Sequence, residues 1–211
     1  MVPMINPANP PDSDSFFGQY SPAGIIGALT SFSQTLPHNW FGKQMGQLIQ
    51  KIVLRHGKTP VDVTIKGIRM RCHLRDNASE RKFVFMPWRF DEVELATLSA
   101  IMPPDGVFID IGANVGIYSL AVASRLNGSG RIVALEPNPP AFSRLKFNID
   151  ANRAERQDWP SVTALQIGIS DTEGEFAPRS PKSRWKQHCF PTSYKCWSGR
   201  HDSLQTIVDD P

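Results

Sequence analysis

The stretch Val107-Phe108-Ile109-Asp110-Ile111-Gly112-Ala113-Asn114-Val115-Gly116 constrains this chain more than any other. β-Formers around one carboxylate lead into a Gly-x-Asn-x-Gly turn, and the helical pattern Ile117 to Leu126 follows, so that we expect a helix over residues 114–126. An apolar run bounded by glycine reads as a buried parallel strand. The glycines let the chain turn sharply and let a ligand approach backbone that a Cβ would shield. The helix would aim free N–H groups at the occupant of the turn, for which a nucleotide-type ligand is the natural choice.

Arg131-Ile132-Val133-Ala134-Leu135-Glu136 reads as a second strand ending in an acid. That acid lies about 20 residues past the glycine turn, the separation that ribose recognition requires. Glu136 can accept from two vicinal hydroxyls and would repel a 2′-phosphate. A dinucleotide fingerprint is not met: Asn114 stands at its second glycine and Ile117 at its third. A phosphate loop ending in Gly57-Lys58-Thr59 also fails, because Ile52 occupies its first glycine. S-adenosylmethionine, with adenine and ribose but no phosphate, fits these letters better than NAD.

Three segments, VFIDIGANVGIYSLAVASRL, RIVALEPNPPAFSRLKFNIDAN and VTALQIGISDTEGE, together resemble the first half of an FkbM-type methyltransferase domain over roughly Phe83 to Phe176. The resemblance implies a class I, Rossmann-like α/β fold: a doubly wound, mostly parallel sheet, here truncated after its third strand and preceded by helices and a β-hairpin. It implies S-adenosylmethionine as cofactor and a hydroxyl of a sugar or natural product as methyl acceptor. Carried onto this sequence, Asp110 would orient the methionine end. Gly112, Ala113, Asn114 and Gly116 would line the turn, Glu136 would hold the ribose, and Asn138 would support adenine. Ile169, Ser170 and Asp171 would close over the base. For Asp110 taken alone, helix capping is the competing role. The alternation strand 107–111, helix, strand 132–136, helix 139–151, strand 162–167 independently predicts right-handed crossovers with a ligand at the strands' carboxyl ends.

The remaining segments set boundaries. Residues 1–40 read as a flexible arm, rich in Pro, Ser and Asn, and residues 1–42 hold no Lys or Arg, which argues against a secretory signal. Ile25-Ile26-Gly27-Ala28-Leu29 is far too short to span a bilayer. Residues 41–90 form a lead-in: a helix over Trp40–Arg55, then a hairpin over 61–75 with Arg69, Arg71, His73 and Arg75 toward solvent. Residues 91–176 would be the cofactor-binding half-domain, opened by a helix whose acids Asp91 and Glu92 offset the helix dipole or reach the cofactor's amino group. With three cysteines and no export signal, a reducing cytoplasm is expected. A net charge of +3 gives no reason to invoke nucleic acid, so the partner expected is a small-molecule or saccharide acceptor.

Residues 177–211 change character: 177–201 lack Asp and Glu but interleave Lys and Arg with Trp185, Phe190, Tyr194 and Trp197, a pattern that suits nucleic acid or an acidic substrate and that an insertion or a flap over the substrate cleft explains equally. His188, Cys189, Cys196 and His201 do not match the close ligand pairs of a zinc site, and no metal is assigned. The Lys-Ile-Asp-x-Glu-Gly-type strand of the family is not found in this sequence. No catalytic base follows from the residues; His73, Asp91, Glu92 and His188 qualify by type only. Beside the methyltransferase reading stand a non-catalytic cofactor-binding or interaction module and, third, an NAD-dependent oxidoreductase.

Overall fold

The computed structural model describes residues 15–126, 128–169, 174–176 and 194–197. They fall into two compact units that divide between Met102 and Pro103.

The first unit opens with helices α1 (Gly24–Gln34) and α2 (Trp40–His56). Where the composition led us to expect a flexible arm over 1–40, α1 is a helix packed on α2. Its buried positions are Thr30 and Ser33, whose hydroxyls donate to the Ile26 and Thr30 carbonyls at 2.8 and 2.6 Å. Small polar side chains satisfied by their own helix can be buried at low cost, and apolar periodicity does not reveal them.

Helix α2 is capped by Asn39, whose side chain accepts from Gly42 N–H at 2.9 Å. Its inward residues are Gly42, Gly46, Ile49 and Val53. Of the helical apolar series Phe41, Met45, Leu48, Ile49 and Ile52, Ile49 is buried and Met45 half-buried, whereas Phe41, Leu48 and Ile52 are exposed. Close approach explains the inward glycines: a Cβ on Gly42 would collide with the Pro37 carbonyl, and one on Gly46 would stand 2.9 Å from Met86 Cγ.

Strands β1 (Val61–Ile65) and β2 (Ile68–Cys72) form an antiparallel hairpin in which Asp62 lies opposite Arg71. Lys66 and Gly67 turn it, both with positive φ (51° and 77°), as a two-residue hairpin loop demands. Arg71 does not face solvent as expected from the alternation. Its Nε and Nη2 donate to Asp62 Oδ1 and Oδ2 at 2.7 and 2.9 Å, its side chain is 3% exposed, and Nη1 and Nη2 also reach the Ser15 and Phe16 carbonyls. Asp62 Oδ2 further accepts from Gly18 and Tyr20 N–H at 2.7 and 3.1 Å. The expected solvated tail is therefore clamped over the hairpin from Ser15 to Tyr20, with Tyr20 and Phe17 stacked beneath the guanidinium groups of Arg71 and Arg69. Charge alternation on a strand marks a solvent face only while nothing covers that face.

The unit ends with α3 (Ala78–Phe85), a short 3-10 turn Pro87–Arg89 and α4 (Glu92–Ile101). Asp91, at the N-cap of α4, pairs with Lys82 Nζ at 2.8 Å. By contacts α4 belongs with this unit rather than with the strands that follow.

The second unit holds a parallel sheet ordered β3-β4-β5: Val107–Ile111, Arg131–Leu135 and Ser161–Leu165, in register Val107↔Arg131↔Ser161. Helix α5 (Ile117–Ala123) connects β3 to β4, and α6 (Pro139–Arg153) connects β4 to β5. This is the expected Rossmann-like α/β arrangement. Two details differ. β3 lies at the sheet edge among the described residues, and Val107, Ile109 and Ile111 are 40–64% exposed, so it is not the fully buried strand its composition suggested. Helix α5 spans Ile117–Ala123 rather than 114–126; it starts late because Asn114 and Gly116 take left-handed φ of 51° and 91°. A second small sheet, ordered β6-β8-β7, joins Gly168–Ile169, Tyr194–Trp197 and Gly174–Phe176. The strand at 194–197 lies inside the segment read from sequence as an insertion or flap.

Replacing Asp62 by Ala removes the carboxylate from a buried guanidinium and frees the Gly18 and Tyr20 amides. We expect a loss of about 3–5 kcal/mol in urea unfolding. Faster protease cleavage near Ser15–Tyr20 should accompany it.

Candidate functional site

The carboxyl ends of β3 and β4 meet at the glycine turn. Leu135, the last residue of β4, accepts from both Gly112 and Ala113 N–H at 2.8 and 2.9 Å. A single carbonyl thus ends the parallel ladder and begins the turn. Gly112, Asn114 and Gly116 alternate with φ of 77°, 51° and 91°, a conformation for which glycine and asparagine are the suited residues. Behind the turn α6 fixes it: Asn148 Nδ2 donates to the Val115 carbonyl at 3.0 Å, and Leu145 Cδ1 would lie 2.7 Å from any Cβ on Gly116. In front, a Cβ on Gly112 would meet none of the described residues within 4 Å. The two glycines therefore have different reasons: Gly116 admits the protein, and Gly112 leaves space.

Glu136 follows β4 and is 7% exposed. Its Oε2 accepts from Asn114 N–H and its Oε1 from Asn138 N–H, both at 2.8 Å. A carboxylate offers roughly four acceptor positions, so each oxygen retains one. Burial pushes the Glu136 carboxyl above its ordinary value; the Asn138 and Asn114 amides pull it down, and the charge of Asp110 adds to the rise. Asn138 caps α6 by position, yet its side chain makes no capping bond, and its Oδ1 is shut off from water without a hydrogen-bond partner among the described residues. Most buried carbonyl oxygens have a hydrogen-bond partner, so this one stands out.

Asp110 takes the capping role. Its Oδ2 accepts from Ser119 N–H at 3.1 Å and from Ser119 Oγ–H at 2.6 Å. The N-cap residue of α5 is Gly116, which has no side chain, so a strand carboxylate supplies the cap from outside the helix. Burial pushes the Asp110 carboxyl up while both Ser119 bonds pull it down. Asp110 is thus placed to fix α5 against β3.

The structure brings Asp110, Gly112, Ala113, Asn114, Gly116, Glu136 and Asn138 together around one turn. Ile169 stands on β6 and is 43% exposed, whereas Ser170 and Asp171 lie outside the described residues. Sequence reading missed Ser119, Leu145 and Asn148. Their signal is weak because each acts through the backbone or a neighbour. Among the base candidates, Asp91 is engaged by Lys82, the His73 amide donates to Glu80 at 2.7 Å, the Glu92 side chain is not described, and His188 lies outside the described residues. No metal-ligating cluster occurs among the described residues; His188, Cys189 and His201 lie outside them. No helix among the described residues is long and apolar enough to cross a membrane.

The two glycines separate by experiment. Gly116→Ala combines an unfavourable φ with the Leu145 contact, and should lower stability by about 2 kcal/mol or more. Gly112→Ala carries the backbone term alone, about 1 kcal/mol. Chemical denaturation of both variants checks the order.

No protein-family model matches the chain. Over 99 residues it is 37% identical to the AMB antimetabolite synthetase AmbE of Pseudomonas aeruginosa, a match covering 47% of this chain and 4% of that protein. Over 75 residues it is 35% identical to the methyltransferase sdnD of Sordaria araneosa, covering 36% of this chain and 27% of that one. The chain therefore corresponds to a minor part of the length of either relative. Among solved structures, TYW2 of Pyrococcus horikoshii in complex with MeSAdo aligns with a TM-score of 0.43 at 19% identity, over 63% of this chain and 50% of that one.

Proposed function

We propose that this chain carries the cofactor half-site of an S-adenosylmethionine-dependent methyltransferase of FkbM type, acting on a hydroxyl of a small molecule or saccharide. The observation that carries the reading is Glu136. Its carboxylate is held by two backbone amides, keeps one acceptor position on each oxygen, and follows the turn where a Cβ on Gly112 would meet none of the described residues. That arrangement suits a pair of ribose hydroxyls. The unpartnered Asn138 Oδ1 suits a donor such as an exocyclic amine. The stretch similar to a named methyltransferase adds support.

Bound there, S-adenosylmethionine supplies an electrophilic methyl and its own leaving group. The chain's part is alignment. Glu136 and Asn138 would fix the nucleoside, and Gly112, Ala113, Asn114 and Gly116 would shape the bed for ribose and methionine. Asp110 would act at one remove, by holding α5 through Ser119. Ile169, Ser170 and Asp171 would shield adenine from water. Holding donor and acceptor in line accounts for much of the rate in such transfers.

Calorimetry with S-adenosylhomocysteine, and NAD as control, tests the reading. Saturable binding of the former and none of the latter is expected. Glu136→Gln loses a charged acceptor and should weaken binding by about 10–100-fold. Binding of NAD alone would favour the oxidoreductase reading, and silence toward both from a chain folded by circular dichroism would defeat the cofactor site. Gly112→Ala should weaken binding more than its stability cost explains.

The pH dependence has a defined sign. Ribose hydroxyls donate to the ionised carboxylate, and burial raises the Glu136 carboxyl above its ordinary value of 4.5 in the free protein. Affinity should therefore be full above that raised value and fall as pH drops through it. Glu136→Gln should flatten this component. For folding the same shift works oppositely: stability declines as pH rises from the unfolded value to the raised one, because the folded state there binds more protons.

A further inference from the structure

A second cavity, of about 540 Å³, is built from the first unit alone. Its size falls in the range of small-molecule sites. The walls are Tyr20, Pro22, Ala23, Ile26, Pro60 and Val61. Ile26 packs so tightly on the end of α2 that a Cβ on Gly57 would lie 3.3 Å from its Cγ2. The wall that includes Tyr20 is held by the Asp62 carboxylate, through Gly18 and Tyr20 N–H, and by Asp62 N–H donating to the Tyr20 carbonyl at 3.0 Å.

Charge at this cavity has one sign. Lys58 lines it and is exposed, His56, Gln19 and Ser21 add polar groups, and no Asp or Glu is among the lining residues. The carbonyl end of α2 would repel an anion, but Arg55 and His56 occupy its last turn, and Arg75 Nη2 lies 3.5 Å from the Leu54 and Gly57 carbonyls. Apolar walls under a cationic mouth recognise an amphipathic anion: hydrocarbon desolvates against the walls while the charge stays at the wet rim.

We propose that this cleft binds a small carboxylate with an apolar body. Its anionic end meets Lys58, and its hydrocarbon lies against Ile26, Pro60 and Val61. The site is independent of the nucleoside reading, because every residue in it belongs to the first unit and no cofactor contact enters.

Amide NMR of the full chain, titrated with octanoate in the absence of nucleoside, tests it. Saturable shifts at Ala23, Ile26, Gly57, Lys58 and Val61 are expected. Octanol, with the same chain and no charge, should bind roughly tenfold more weakly, and Lys58→Glu should weaken octanoate binding by a similar factor. Lys58 is exposed, so an unchanged spectrum elsewhere will show that the variant folds. Absence of saturable shifts, shifts confined to the outer face of α2, equal binding of octanol, or indifference to Lys58→Glu would each overturn the proposal.

Discussion

The glycine turn depends on one carboxylate that bonds to backbone rather than to side chains. Glu136 reaches from the end of β4 to Asn114 N–H in the turn after β3 and to Asn138 N–H at the start of α6. Two crossovers of the sheet are thereby tied at a single point. Amide bonds to a charged acceptor are stronger than neutral ones, and here they oppose the desolvation that burial imposes on the same group. The Leu135 carbonyl and Asn148 hold the residues to either side, and the carboxylate holds Asn114 between them. With it, Asn114 keeps a backbone conformation that only glycine and a few polar residues tolerate.

Around this point the second unit is built in shells of diminishing legibility. The strands and the order of helices follow from apolar runs and glycine punctuation, and these were plain in the sequence. Glu136 and Asp110 were also plain as residues, because carboxylates at strand ends stand out. Their tasks were less so. Asp110 reads equally as a ligand contact or a cap, and only the Ser119 geometry shows it capping a helix whose own N-cap residue is a glycine. Asn148 and Leu145 were invisible in advance, since a mid-helix residue gives no sign of which loop it will touch.

The first unit shows the opposite failure, in which strong patterns pointed the wrong way. Arg71 sits in an alternating basic series that predicts a solvated face, yet it is among the more buried side chains because residues 15–20 cover it. Helix α1 falls in the stretch read as a flexible arm, and its buried positions are Thr30 and Ser33. In both cases long-range contacts decide the environment, with sequence separations of 55 and 56 residues for the Arg71 bonds to Phe16 and Ser15. Periodicity carries no information at that range.

Helix α2 turns Gly42 and Gly46 inward beside Ile49 and Val53, and leaves Phe41, Leu48 and Ile52 largely outside. The constraint on substitution then runs against hydrophobicity along this helix. Positions 42 and 46 admit no side chain, since any added carbon meets the Pro37 carbonyl or Met86, whereas Phe41 and Leu48 contribute mostly surface. A catalogue of tolerated changes would show two frozen glycines a helical turn apart, beside freely varying apolar neighbours. That signature would identify a helix docked by backbone proximity, and it would be the reverse of the record left by an ordinary amphipathic helix.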